Sequence, residues 1–265
     1  MFEYKIYVMR KFFFIIIFTT CNCISFGQNN YEKPELEPFE IMKNYPSWLE
    51  YQRKNILLST DYISLDSDNK EITKESFLNQ LTTGDFIPIK LSSTDSLLYY
   101  QLFKIAPGTD TSIKASLSAL AVEELEHYKM EGQKFPTFSY KDINGKTISS
   151  ESLKDKIIVI KCWFIHCAPC IKEFPAVNKL VSKYKDRKDI VFISLAEDTP
   201  PELRNFLAKN PLSYSVVPNM KKYMNETLHL SGFPTHFILN KKGTISKVLM
   251  DYEGLEAALR KESQK

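Results

Sequence analysis

Two cysteines separated by an alanine and a proline stand where an apolar run gives way to a segment with helical periodicity. They are Cys167 and Cys170, and they lie between the apolar residues 157–165 and the helical segment 171–184. The start of a helix offers unpaired N–H groups and the positive end of the backbone dipole, and both stabilise a thiolate. The position therefore predicts that Cys167 is the reactive thiol and that Cys170, one turn further on, is the resolving thiol.

Three other uses of this cysteine pair fit the sequence less well. A structural zinc site needs a second pair of Cys or His ligands at suitable spacing, and the chain has no other C-x-x-C. Covalent haem attachment needs a histidine directly after the second cysteine, where this chain has Ile171. A purely structural disulfide is not expected at a strand-to-helix junction with a proline between its cysteines. The context favours thiol–disulfide exchange.

The cysteines belong to a longer pattern of the form W-x-x-x-C-x-P-C-x-x-E-x-P. Its fixed positions are Trp163, Cys167, Pro169, Cys170, Glu173 and Pro175. This segment resembles the active-site segment of thioredoxin-like proteins, closest to the periplasmic thiol–disulfide oxidoreductases of the TlpA/ResA type. The resemblance implies an α/β thioredoxin-like fold, a central mixed β-sheet flanked by helices, over residues 132–265. Pro175 is expected to kink the active-site helix, because proline lacks an N–H and crowds the preceding turn.

A second stretch, residues 232–239, looks like the cis-proline loop of the same family running into a strand. In the family, the residue before this proline offers backbone groups to an extended substrate. The resemblance therefore implies that Phe233 and Pro234 face Cys167. The expected substrate-binding residues are Trp163, His166, Pro169, Phe233 and Pro234.

One position departs from the thioredoxin pattern. Thioredoxins often place a buried aspartate six residues before the first cysteine, where it accepts the proton of the resolving thiol, and this chain has Lys161 there. A lysine cannot act as a carboxylate base. We therefore hypothesise that Glu173, on roughly the same helix face as Cys170, manages that proton in an ion pair with Lys161. In the alternative, both are solvated surface charges.

The remaining pattern divides the chain into two parts. Downstream of the cysteines, short apolar runs alternate with helical segments, as in a sheet that is covered on both faces. These runs and segments are residues 190–196, 200–209, 214–217, 244–250 and 252–261. Upstream, residues 28–131 predict a smaller α+β domain of unknown role. Its predicted elements are strands at residues 62–65, 86–90 and 97–103 and an amphipathic helix at residues 111–130.

The first 27 residues predict a signal peptide. A basic segment ending at Lys11 precedes seven strongly apolar residues, and small residues at positions 25 and 27 suit cleavage before Gln28. Seven apolar residues are too few to span a bilayer, although an uncleaved anchor and a lipoprotein site at Cys21 remain alternatives. An export signal together with a C-x-x-C predicts a periplasmic protein.

The predicted function is reduction of protein disulfides through a mixed-disulfide intermediate. Disulfide-containing exported proteins are the expected partners, together with an upstream membrane electron donor and with membrane tethering as an option. The expected redox centre is the Cys167–Cys170 pair itself, with no other cofactor and no metal. The formal net charge of +3 over 265 residues is too small to indicate nucleic-acid binding.

Two alternative functions use the same cysteines. One is a peroxiredoxin-like thiol peroxidase, but such enzymes normally carry a threonine three residues before the peroxidatic cysteine, where this chain has Phe164. The other is a non-enzymatic copper chaperone with Cys167, Cys170 and His236 as ligands. Family members of that sort use a longer cysteine spacing, and copper titration with and without Cys170 would distinguish them.

Overall fold

The computed structural model describes residues 30–265. The predicted signal peptide and Cys21 lie outside the described residues. Within residues 30–265, no helix is both long and apolar enough to cross a membrane.

The first half of the described chain forms a five-stranded mixed sheet with four helices. Its elements are β1 (Tyr31–Pro34), α1 (Pro38–Ile41), α2 (Tyr45–Asn55), β2 (Ile63–Leu65), β3 (Glu71–Ile72), α3 (Lys74–Thr82), β4 (Phe86–Ser93), β5 (Tyr99–Lys104) and α4 (Thr111–Met130). The strand order is β1-β4-β5-β2-β3, in which β2 and β5 are parallel and the other pairs are antiparallel. Trp48, Phe77, Tyr100 and Leu117 are fully buried in its core. This arrangement is the predicted α+β region, and α4 spans the predicted helix.

The second half forms a separate five-stranded sheet preceded by a small hairpin. Its elements are β6 (Ser139–Lys141), β7 (Thr147–Ser149), β8 (Ile157–Trp163), α5 (Ala168–Lys172), α6 (Phe174–Lys183), β9 (Ile190–Ala196), α7 (Pro200–Leu207), β10 (Ser215–Val217), α8 (Lys221–Glu226), β11 (Thr235–Leu239), β12 (Ile245–Leu249) and α9 (Tyr252–Glu262). The strand order is β10-β9-β8-β11-β12. The first three strands are parallel, whereas β11 and β12 are antiparallel to their neighbours.

β8 is the central strand of this second sheet, and all seven of its residues are buried. Its alternate side chains enter separate apolar clusters, for example Ile160 on one side and Val159 on the other. A sheet covered on both faces suits a strand that reads as a continuous apolar run. The predicted thioredoxin-like α/β class is confirmed.

The active-site helix differs from the single kinked helix expected over residues 171–184. It is divided into α5 and α6, which meet at Glu173. Pro175 explains the break, since it has no N–H to donate to the carbonyl of Ile171 and its ring would crowd that carbonyl.

The two halves contact each other where α4 and the segment before β2 meet β12 and α9. Lys247 of β12 bonds to Glu131 at 3.0 Å and to Asp61 at 2.8 Å, and Lys261 of α9 also bonds to Asp61, at 2.7 Å. Ser59 donates to Asp251 at 3.2 Å. A domain boundary between residues 131 and 132 stays a prediction.

Candidate active site

Cys167 and Cys170 are joined by a disulfide at the end of β8. Their Cα atoms are 5.3 Å apart. Cys167 is the N-cap residue of α5, where its Sγ accepts a hydrogen bond from the backbone N–H of Cys170 at 3.3 Å. Cys167 is 4% exposed and Cys170 is fully buried, so only the first sulfur has a path to a partner. This asymmetry agrees with the predicted division into attacking and resolving thiols.

The turn between β8 and the first cysteine is held by one backbone hydrogen bond and one hydrogen bond to a side chain. The N–H of Cys167 donates to the carbonyl of Phe164 at 3.1 Å, and the carboxylate of Asp198 accepts from the N–H of Ile165 at 2.9 Å. His166, directly before Cys167, and Pro169, two residues after it, are both exposed. The structure therefore leaves these two predicted substrate-binding residues accessible, and their contact with substrate stays a prediction.

The loop before β11 lies against the cysteines. The Phe233–Pro234 peptide bond is cis, as predicted. Phe233 packs on the apolar cluster that contains Cys167 and Cys170, and its ring makes an edge contact with Phe164 at a centroid distance of 5.6 Å. The structure thus brings the two predicted motifs together, about 65 residues apart in the chain.

Trp163 does not fit its predicted role in substrate binding. Its side chain is completely buried, its Nε1 donates to Ser194 Oγ at 3.1 Å, and its ring packs edge-on against Phe174 at 5.0 Å. Alternation along β8 turns this residue inward beneath the active-site helix. The prediction was wrong, because Trp163 can support the helix from below but cannot touch a substrate.

A buried cluster of charged and polar side chains lies beneath the helix break. Lys161 Nζ contacts Glu173 Oε1, and His236 Nε2 lies 2.9 Å from the same oxygen. Lys161 and His236 face each other across β8 and β11, and both side chains are fully buried. Only Glu173 retains some exposure, 11% of its side chain. The alternative of solvated surface charges is wrong, because Lys161 and Glu173 form a buried ion pair.

The electrostatics of this cluster favour an ionised Glu173. Burial would raise the pKa of Glu173, but hydrogen bonds and charge from His236 and Lys161 outweigh it and hold that pKa below its usual value. Burial lowers the pKa of His236 and also lowers that of Lys161, against the opposing effect of Glu173. The neutral His236 therefore donates through Nε2, which leaves its buried Nδ1 without a partner in the described part of the chain.

His236 and Asp198 are the site residues that the sequence reasoning missed. The sequence suggests His236 only as a ligand in the alternative copper chaperone, whereas in the structure its Nε2 is directed at Glu173. The sequence places His236 on the strand that follows the Gly232 loop. It does not show which residue of β8 lies opposite His236. Within residues 30–265, no three His, Cys, Asp or Glu side chains are grouped as a metal site.

Cys162, the remaining cysteine in the described chain, is buried on the other face of β8 from Lys161. Burial raises the pKa of its thiol well above the usual range. Such a thiol stays protonated and acts as an apolar core residue, as predicted.

Comparison with known proteins identifies relatives of the second half of the chain. The model of the AhpC/TSA family matches residues 131–248. The thioredoxin-like protein YneN of Bacillus subtilis is 32% identical over 120 residues, which are 44% of this chain and 70% of that protein. The thiol–disulfide oxidoreductase ResA of Bacillus cereus is 32% identical over 134 residues, which are 49% of this chain and 77% of that protein. The solved thioredoxin domain of a thiol–disulfide oxidoreductase from Bacteroides vulgatus is 21% identical, with a TM-score of 0.46, and covers 49% of this chain and 96% of its own.

Proposed function

This chain belongs to the family of thioredoxin-like thiol–disulfide oxidoreductases, and on that basis we propose that it reduces disulfides of exported proteins in the periplasm. The observation that carries the proposal is the asymmetric Cys167–Cys170 disulfide beside the cis-proline loop. The predicted signal peptide supports the location. The dithiol serves as the redox centre without a further cofactor.

The proposed reaction moves two electrons from the cysteine pair to the substrate. The Cys167 thiolate attacks one sulfur of the substrate disulfide, which forms a mixed disulfide and releases the first substrate thiolate. The Cys170 thiolate then attacks Cys167 Sγ, which forms the enzyme disulfide and releases the second substrate thiolate. An upstream membrane electron donor returns the enzyme disulfide to the dithiol.

Glu173 is proposed to accept the proton of Cys170 before the second attack. Because the pKa of Glu173 is held below its usual value, the carboxylate is ionised at neutral pH, and it can take the thiol proton only transiently before passing it to water. Lys161 and His236 fix the position of one carboxylate oxygen from below. In this proposal they act on the chemistry through Glu173 and do not touch the substrate.

The test uses two serine variants of the full-length protein. Cys167→Ser should abolish reduction of a model disulfide, because the accessible sulfur is lost. Cys170→Ser should attack once and then accumulate mixed disulfides, which mass spectrometry of trapped partners would identify. Catalytic turnover by Cys167→Ser would show that the assignment of the attacking thiol is wrong.

The same reduced protein distinguishes the alternative functions. A thiol peroxidase would be oxidised by stoichiometric hydrogen peroxide faster than by a disulfide peptide, whereas a disulfide reductase should show the opposite order. A copper chaperone would bind copper(I) tightly and lose that binding in Cys170→Ser without showing catalytic disulfide turnover.

A further inference from the structure

The cis-proline loop is contacted by a helix from the other half of the chain. Glu123 of α4 places its Oε1 3.3 Å from the hydroxyl oxygen of Ser231. A Cβ atom on Gly232 would lie only 2.1 Å from the same carboxylate oxygen, so Glu123 occupies the space that the glycine leaves open. Gly232 directly precedes Phe233. A helix outside the matched family segment therefore reaches the loop that faces the active-site disulfide.

The Glu123 carboxylate is half-buried and has no cationic partner in the described part of the chain. Within residues 30–265, no lysine, arginine or histidine forms an ion pair with it. Burial raises its pKa, and the Ser231 hydroxyl supplies the opposing hydrogen bond. By contrast, Glu126 pairs with Lys129 at 2.9 Å, and Glu131 pairs with Lys247. Like Glu123, the adjacent Glu124 forms no ion pair within the described residues, but its side chain is buried inside the protein, where a group outside the chain cannot reach it. Glu123 is thus a half-buried negative charge that is left for a group outside the chain to match.

The place of this charge relates it to the substrate. An extended segment that binds along Phe233 and Pro234 would advance about 3.3 Å per residue, so the carboxylate beside Gly232 would lie within a few residues of the substrate cysteine. A lysine or arginine there would gain a charge-assisted hydrogen bond as water leaves the contact. An aspartate or glutamate would meet a like charge.

We propose that Glu123 is a specificity-determining residue, which favours substrates with a lysine or arginine one to three residues from the reactive cysteine. The inference rests on the proposed disulfide reduction. It also gives the first half of the chain a role, since α4 supplies a wall of the substrate surface.

The test uses three peptides of equal length, each with one internal disulfide flanked by lysine, by glutamine or by glutamate. Stopped-flow measurement gives the second-order rate constant for each peptide with the reduced full-length protein. We expect the lysine peptide to react about fivefold faster than the glutamine peptide, and the glutamate peptide to be slower still. Raising the salt concentration should narrow these differences.

Variants then assign the preference to one side chain. Glu123→Gln keeps the size of the side chain and its hydrogen bond to Ser231, and it should remove the charge preference. Glu123→Lys should reverse it. The matched control is Glu126→Gln on the exposed side of the same helix, which should leave the preference as in the wild type.

Three outcomes would overturn the inference, and one of them would also overturn the proposed function. Equal rates of the wild type for the three peptides would overturn the inference alone. An equal loss for all three peptides in Glu123→Gln would do the same, because it would show that Glu123 only holds the loop. If the wild type reduced none of the peptides, disulfide reduction itself would be wrong.

Discussion

A lysine in the middle of a buried strand needs a compensating charge, and in this protein one glutamate provides it. Lys161 is completely buried on β8, and Glu173 reaches it from the point where α5 and α6 meet. A buried charge without a partner costs several kcal/mol, whereas a paired and hydrogen-bonded one is tolerated. The helix break therefore does more than accommodate Pro175, because it places a carboxylate above the lysine.

Replacing Glu173 tests its role in proton transfer. Glu173→Gln should slow the resolution of the mixed disulfide by about tenfold or more, because a neutral amide cannot accept the proton of Cys170. Since the pKa of Glu173 is lowered, resolution in the wild type should stay fast down through mildly acidic pH and fall only as pH drops through that low value. The measurement is single-turnover resolution between pH 2.5 and 9, in the wild type and the variant, so that the range extends below the usual carboxyl pKa.

The control for this experiment is Glu253→Gln, which changes an exposed glutamate at the start of α9. It should leave the rates of both the initial attack by Cys167 and the resolution by Cys170 unchanged. The initial attack by Cys167 should also be nearly unaffected in Glu173→Gln. An unchanged pH profile of resolution would assign proton acceptance to water.

The Lys161–Glu173 pair was predictable from the sequence because both positions are set by short-range rules. Lys161, six residues before Cys167, lies on the strand, and Glu173, three residues after Cys170, lies one helical turn beyond it, where α5 ends. The contact of His236 was not predictable, because it depends on the register between β8 and β11, which are separated by more than 70 residues. Trp163 was misassigned since its place in the motif does not reveal the face of the strand on which it lies.

Among the elements, α4 packs against both halves of the chain. Its buried histidine should make the free energy of unfolding depend on pH. His127 is buried, and burial lowers its pKa to about 4. Because the pKa of the unfolded chain is about 6.5, its contribution to the free energy of unfolding is complete above that pH and is lost as pH falls towards 4. The loss should amount to about 3 kcal/mol.

The His127→Leu variant should lack this dependence. We expect its free energy of unfolding, relative to that of the wild type, to rise as pH is lowered from 7 to 4 in urea titrations. The control is His229→Asn at an exposed position with a positive φ, a backbone conformation that asparagine tolerates, and its curve should run parallel to that of the wild type. Parallel curves for His127→Leu and the wild type would contradict the assignment.

The elements differ in how well the sequence predicts them. The bounds of α4 and β9 agree with the prediction, because each has a strong apolar pattern and a clear end. β1, α1 and α2 were not predicted, since β1 is only partly buried and α2 carries few apolar residues. The parallel pairing of β2 with β5 joins segments some 35 residues apart, which local periodicity does not encode.

At the scale of the molecule, Asp61 connects the two halves through two lysines. Although burial would raise the pKa of Asp61, the hydrogen bonds from Lys247 and Lys261 hold it below its usual value. Asp61→Asn should weaken the contact between the halves by about 1 kcal/mol, a modest amount since these groups are partly exposed. The difference between the wild type and Asp61→Asn should become smaller at high salt, because salt screens these ion pairs.

Hydrogen exchange would locate this change. Faster exchange in β12 and α9 of Asp61→Asn, with β8 unaffected, is the expected result, because the lost contacts involve only the last elements. A suitable control is Asp68→Asn in the exposed turn between β2 and β3. Uniform acceleration over the whole chain would indicate that Asp61 supports global folding instead.

The contact of Asp61 with Lys247 and Lys261 also sets an order of events during synthesis. The chain emerges N-terminus first, whether from the ribosome or across a membrane, so the first sheet and α4 appear well before β12 and α9. Until then, Asp61 and Glu131 lack the lysines that pair with them in the folded protein. These carboxylates therefore stay solvated until almost all residues have emerged. Only then can the ion pairs between the two halves form.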